Sequence, residues 1–234
     1  MTNDLIQIKL RQRLNKLSSN DFDNLECWQI IEAFNKAALQ WCRRQLHGMN
    51  QYKEGDEGSQ RRIDDLNVLL VEQALTGSEN DSYFESNGLP DNYLEYKRLS
   101  TKAKNKCCKE PYSMTVYLVE EANIDLILRD PLKKPDFDWA ETVATFIGNR
   151  VRIYRDEEFS ISQPTLTYYR KPTTIQITGC VNPQDGSSSS TNVESEFRDD
   201  IVELIIDEAA SLIAGDIENV VQMQRGMQSA ERSN

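Results

Sequence analysis

Histidine is almost missing from this chain. The single one, His47, sits at the end of a helical pattern beside Arg43 and Arg44. Acid–base or triad chemistry built on imidazole would depend on that one side chain, and an imidazole at a helix end is commonplace. The phosphate-cradling G-x-x-x-x-G-K-[ST] loop is absent, as are G-x-G-x-x-G, H-E-x-x-H and the G-x-S-x-G elbow. No apolar run reaches the roughly 18 residues of a membrane span. "MTNDLIQIKL" lacks a basic stretch leading into an apolar one, so no signal peptide is expected and the chain is assigned to the cytosol or to something assembled there.

Cysteine is sparse, odd in number and irregular in spacing: Cys27, Cys42, Cys107, Cys108 and Cys180. That is unlike a secreted disulfide framework. Cys27 and Cys42 fall on a helical pattern and read as small core residues. Cys107–Cys108 has no second pair at C-x-x-C spacing, so no metal and no cofactor are expected.

Acid is plentiful. The formal net charge is −11, and it is uneven. Residues 1–77 hold 10 basic and 11 acidic side chains, residues 78–191 hold 14 and 17, and residues 192–234 hold 3 and 10. Such a chain repels free duplex DNA overall, but it suits a surface that DNA slides past. The neighbouring carboxylates Asp64–Asp65, Glu120–Glu121, Asp199–Asp200 and Asp207–Glu208 diverge when helical, and read as solvated faces.

Hydrophobic spacing predicts helices at both ends. Ile6, Leu10, Leu14 and Leu17 form one stripe; Cys27, Ile31, Phe34, Ala38 and Trp41 form a second, stopped by Gly48. Asp23 and Glu26 have the form of a capping box ahead of that second helix. Ile63, Leu66, Leu70 and Ala74 predict a third helix, ended by Gly77. A long last helix over 194–226 carries Phe197, Ile201, Leu204, Ile205, Leu212, Ile213, Ile217 and Val220, with Glu194 and Glu196 in its first turn.

Between them the pattern changes to period two. Met114, Val116 and Leu118 predict a strand, as do Ile124, Leu126 and Leu128. Gly148–Asn149 separates two strand-like runs, a hairpin signal. "PTLTYYRKPTTIQI" is rich in strand formers, and Pro172 puts that strand at an edge or a bend.

The expected fold is α+β. Three N-terminal helices (1–77) and a C-terminal helix (194–226) make a bundle, with an antiparallel β-rich region (78–180) inserted in it. A Ser-rich linker (181–193) and a flexible tail (227–234) complete the division.

Two groups of residues invite a contact reading. Lys97, Arg98, Lys102, Lys104, Lys106 and Lys109 are six bases with no acid among them. The acids Asp199, Asp200, Glu203 and Asp207 on the last helix could meet that cluster in a neighbouring copy, and head-to-tail contacts of this kind close into rings. Tyr168 and Tyr169 point to opposite faces of a strand, so that either one is core and the other interface or both pack within one subunit, with Arg170 beside them.

The phrases "CWQIIEAFNKAALQWCRRQLHG", "GSQRRIDDLNVLL", "LPDNYLEYKRLS", "RVRIY", "LTYYRKPT" and "FRDDIVELIIDEAASLIAGDIE" resemble the ring, or head-to-tail adaptor (connector), proteins of crAss-like tailed bacteriophages. The likeness runs from Asp4 to about Glu218. It implies a non-enzymatic virion protein, assembled in the host cytoplasm. Such subunits form dodecameric rings below the portal protein, next to other ring or tail proteins, with double-stranded genomic DNA passing through the lumen. It also implies that the last helix, Phe197–Asp216 and beyond, reaches toward the portal. The large β region and "GSSSSTN" depart from the simplest adaptors. Two other classes compete: a nucleic-acid-binding module using residues 97–109, disfavoured by the net charge and the lack of aromatics among the lysines, and a hydrolase, disfavoured by the missing constellation.

Overall fold

The computed structural model describes residues 1–15, 25–48, 64–105, 110–183, 186, 188–216, 224 and 227–228. Its helices include α1 (Asn3–Asn15), α2 (Cys27–Leu46), α3 (Ile124–Arg129) and α4 (Asp199–Asp216); residues 64–66 form a further helical turn, followed by a 3-10 turn at Asn67–Leu69. Its strands are β1 (Leu70–Ala74), β2 (Gly77–Glu79), β3 (Tyr83–Ser86), β4 (Tyr93–Asn105), β5 (Tyr112–Leu118), β6 (Glu141–Ile147), β7 (Arg150–Tyr154) and β8 (Phe159–Arg170). The chain divides into two compact units: Leu69–Lys171, and Met1–Val68 together with Pro172–Asn234.

The first unit is one mixed eight-stranded sheet in the order β1-β8-β4-β5-β6-β7-β3-β2. Its two edge strands, β1 and β2, are consecutive in the chain and separated only by Leu75 and Thr76. Two residues cannot span a flat eight-stranded sheet, whose neighbours lie about 4.8 Å apart. The sheet therefore curls until its edges meet, and residues 70–79 act as one bent strand that pairs with β8 first and β3 second. The join is reinforced by Leu75 N–H to Pro164 O at 2.8 Å and Asn87 N–H to Thr76 O at 2.8 Å. Glu79 Oε1 also accepts from the Ile161 backbone N–H of β8, at 2.8 Å.

Gly77 sits at this bend because nothing larger fits. A Cβ there would lie 2.0 Å from Glu85 O and 2.7 Å from the Phe84 ring. The curled sheet encloses one apolar cluster fed by alternate residues of its strands: Phe84, Leu99, Ala103, Met114, Val116, Ala144, Val151, Ile153, Phe159, Ile161, Leu166 and Tyr168. We call this unit the barrel.

The pair β5–β6 is parallel, so the chain must cross over between them. The crossover carries α3, which covers the outer side of the sheet. Ile124 packs with Val143, Tyr154 and Tyr83 there.

The second unit buries the stripes of α1, α2 and α4 against one another: Ile6, Leu10 and Leu14; Ile30, Phe34, Ala37 and Trp41; Ile201, Ile205, Ala209 and Ile213. Trp41 meets Phe197 edge to face, with ring centroids 5.5 Å apart. A disulfide joins Cys27 at the start of α2 to Cys180.

The expected fold class is therefore corrected. The dominant element is the curled mixed sheet, and the helices are not a four-helix bundle carrying a smaller antiparallel insertion. The third helix is cut short: residues 64–66 are helical and Asn67–Leu69 form a 3-10 turn, but Leu70–Ala74 pairs with β8; "LVEQA" is good helical sequence, but long-range pairing overrides that weak local preference. Ile63 lies outside the described residues. The strand expected at Ile124–Leu128 is a short helix, α3. The β unit runs from Leu69 to Lys171 rather than 78–180.

The last helix starts at Asp199, so Glu194 and Glu196 precede it; Ile217 and Val220 lie outside the described residues, as do Leu17 and the tail beyond 228. Helix α2 is capped by Glu26 itself, whose N–H is accepted by the Gln29 side chain at 3.1 Å; Asp23 is outside the described residues. Strand β8 is not an edge, since β1 and β4 flank it. It tolerates Pro164 because Gln163, at φ 51°, and Pro164 form a bulge opposite Thr101. The Gly148–Asn149 hairpin is present, with Gly148 at φ 58°. Cys27 is half of a cystine rather than a plain core residue.

Candidate functional site

Alternation on β4 decides where its bases go. Thr101 and Ala103 are buried, so Lys102 and Lys104 stand on the outer face and are exposed. Beside them are Ser162 and Ser160 of β8 and, across Lys102, Ser113 of β5. The two β8 hydroxyls are occupied: Ser162 Oγ donates to Lys102 O at 2.9 Å and Ser160 Oγ to Lys104 O at 3.3 Å. The face thus presents ammonium groups over a hydroxyl-lined wall.

Arg98 is exposed on the same strand. Lys97 turns elsewhere, its ammonium 5.9 Å from the Tyr169 ring centre. Lys106 and Lys109 lie outside the described residues, as do Cys107 and Cys108.

The tyrosine pair is inside. Tyr168 is 1% exposed; its hydroxyl donates to Asn92 Oδ1 at 2.8 Å, with Gln73 Oε1 at 3.2 Å. Tyr169 is 4% exposed, so both pack within the subunit and neither offers a free interface face. Arg170 is half-buried and donates to Lys171 O at 3.3 Å.

The acids of α4 are mostly engaged within the unit. Glu203 pairs with Lys9 and with Arg13, and Arg13 also pairs with Asp207. Asp199 lies 2.8 Å from the Met1 amine, and Asp200 lies 3.2 Å from Arg198. Phe197 is buried against Trp41. Glu203 and Asp207 thus serve α1, which weakens the expected meeting of this helix with the lysines of a neighbouring copy.

Glu208, read as a solvated acid, is only 4% exposed and pairs with Arg44 at 2.7 Å. Burial pushes its pKa up, and the Arg44 guanidinium opposes that shift. Burial likewise pushes the Cys42 thiol up to about 12, which leaves it inert. His47 closes α2, its backbone N–H bonded to Arg43 O.

Two features went unread in the sequence. One is a cavity of about 510 Å³ in the helical unit, between the start of α2 (Trp28, Ile31, Glu32) and the segment Gln176–Thr191. Cys180 lines it, so the cystine holds its two walls together. The other runs from the end of β5 through the β5–β6 crossover, where Tyr117, Leu118, Leu126, Leu132 and Trp139 are all exposed, Leu126 and Leu132 by 69% and 70%. Tyr117 and Leu118 end strand β5, whereas Leu126, expected in a strand with Ile124 and Leu128, stands on helix α3.

Among the described residues no group of three or more His, Cys, Asp or Glu is placed to hold a metal ion, and no helix is long and apolar enough to cross a membrane. No protein-family model matches the chain, and no curated protein matches it.

Proposed function

We propose that this chain is a structural subunit of a tailed-phage neck, one copy in a ring, of dodecameric order, that connects the portal to the tail and lines the DNA path. The observation that carries the reading is the crossover. Five large apolar side chains lie exposed between Tyr117 and Trp139, on a unit whose own interior is already filled. Single exposed apolar residues are ordinary; a set gathered along the end of β5 and the crossover after it fits a surface meant to be covered by protein. The phrases that resemble those of crAss-like ring proteins, spread over both units, suggest a class for that partner: further copies, the portal and the next ring.

The reading is tested by imaging. Purified chain mixed with the portal of the same particle is expected to give annular density with an open pore below the portal. A mixture in which the chain stays off the portal, and a virion neck in which it cannot be located, would reject it.

A further inference from the structure

Strand order says which walls of the barrel face apart. Around the unit run β8, β4, β5, β6, β7 and β3, with the bent strand of residues 70–79 closing the circuit. The β8–β4 wall is therefore across the barrel from β7. The first wall carries Lys102 and Lys104, with Arg98 further along β4. The wall across from it is covered by α3, which packs on Val143 of β6, Tyr154 of β7 and Tyr83 of β3.

The outer side of α3 has the opposite character. Glu120, Glu121 and Asp125 are exposed around Leu126. Seven acids and three bases occur from Tyr117 to Glu141. Of those bases, Lys133 is 3.7 Å from Asp130 and Lys134 is 3.2 Å from Asp156, which leaves Arg129 as the base on α3 itself.

We infer that the basic wall of β4 in one copy docks on the acidic, Leu126-centred face of α3 in the next copy. This rests on the ring reading above and names the contact that would build it. The two patches differ and sit on opposed walls, so the contact is heterologous: each copy offers one face forward and the other back. Such a contact propagates and closes into a ring when the rotation permits. Leu126 supplies the apolar anchor, the carboxylates and ammonium groups supply register and attraction, and salt weakens the contact. The acids of α4 are not needed, in keeping with the pairing of Glu203 and Asp207 to α1.

The test uses full-length chain and mass photometry at low salt. K102E/K104E makes both walls acidic; E121K/D125K makes both basic. Each variant alone is expected to lose the assembly that wild type shows, by tenfold or more in association constant. An equal mixture of the two is expected to regain it, because each then meets a complementary face. L126D is expected to lose assembly without rescue. Circular dichroism and thermal melting identical to wild type establish that the variants are folded, since all these side chains are exposed. Wild-type rings that persist in both charge variants would overturn the inferred contact and leave the ring reading standing. A wild-type chain that stays monomeric at its highest soluble concentration, with and without portal, would overturn both. Salt-sensitive binding of duplex DNA by wild type, lost in K102E/K104E while rings persist, would assign the basic wall to nucleic acid instead.

Discussion

The two units reach compactness by different routes. The barrel is one uninterrupted stretch, Leu69–Lys171, and closes on itself through hydrogen bonds and a shared interior. The helical unit is made of both ends of the chain, and the links that stand out in it join one end to the other. The Cys27–Cys180 bond spans 153 residues, Lys9 and Arg13 reach Glu203 and Asp207, and Arg44 reaches Glu208. A continuous unit needs only good strand pairing; a discontinuous one must offset the entropy of bringing distant segments together. The barrel should therefore be most sensitive to backbone shape, and the helical unit to cross-links.

The sharpest way to break that contrast is at Gly77. A side chain there collides with the Glu85 carbonyl, a backbone atom that moves only if β3 moves. Gly77→Val is expected to cost about 3 kcal/mol or more and to undo the β2–β3 pairing. Hydrogen exchange should show protection lost at Phe84 and Ile153 while α2 and α4 keep theirs. Equal loss in both units would mean that they do not unfold separately.

Next in size is the cystine. Cys27→Ser with Cys180→Ser is expected to cost about 2–5 kcal/mol in the helical unit under oxidising conditions. Reductant should produce the same loss in wild type and none in the double variant. The barrel's exchange protection should be unchanged. A cytosolic thiol pool would keep this pair reduced, so the bond's state in an assembled particle, read by mass spectrometry after alkylation, also reports where the chain ends up.

What the sequence disclosed follows the same division. The helical stripes were legible because each is a local pattern with an apolar face: Ile6, Leu10 and Leu14 are all buried, as are Phe34, Ala38 and Trp41. So was the Gly148–Asn149 hairpin, which is decided by adjacent residues. Residues 70–79 were not legible, because Leu70 and Ala74 continue the helical face of Leu66 while Leu70–Ala74 answers to β8, far along the chain. The cystine was invisible for the same reason: nothing near Cys27 marks Cys180 as its partner. Of the candidate contact residues on β4, Arg98, Lys102 and Lys104 are exposed, whereas Lys97 is half-buried over Tyr169. Neither Tyr168 nor Tyr169 offers an interface face, because residues 166–169 are buried on both faces of β8, which period-two alternation alone cannot reveal.

A smaller effect tests the ionic links. Arg13→Ala removes a guanidinium that serves two partly exposed carboxylates, Glu203 and Asp207. The expected cost is about 1 kcal/mol, confined to the helical unit and reduced by salt. Lys134→Ala at the exposed pair with Asp156 in the barrel should change stability less than that. A larger loss at Lys134 would reverse the claim that the helical unit is the one that leans on cross-links.

The smallest effect separates the units by sign. Asp156 in the barrel has its pKa lowered, chiefly by the Glu157 backbone N–H and further by Lys134. Its contribution is present above the ordinary aspartate range and is lost as pH falls through the lowered value. Glu208 runs the other way: burial raises its pKa despite Arg44. Between the ordinary glutamate value and that raised value the folded chain holds more protons than the unfolded one. Stability of the helical unit should therefore rise as pH falls through the raised value, and level off below the ordinary one. Glu208→Gln keeps a hydrogen-bonding partner for Arg44 and removes the buried charge. It is expected to flatten that slope and to leave stability at neutral pH nearly unchanged. Denaturant midpoints read with probes in each unit should show the helical unit gaining stability as pH falls through the Glu208 window, and the barrel losing it only at the lower pH where Asp156 titrates. An unchanged slope in Glu208→Gln would show that another group of the helical unit carries it.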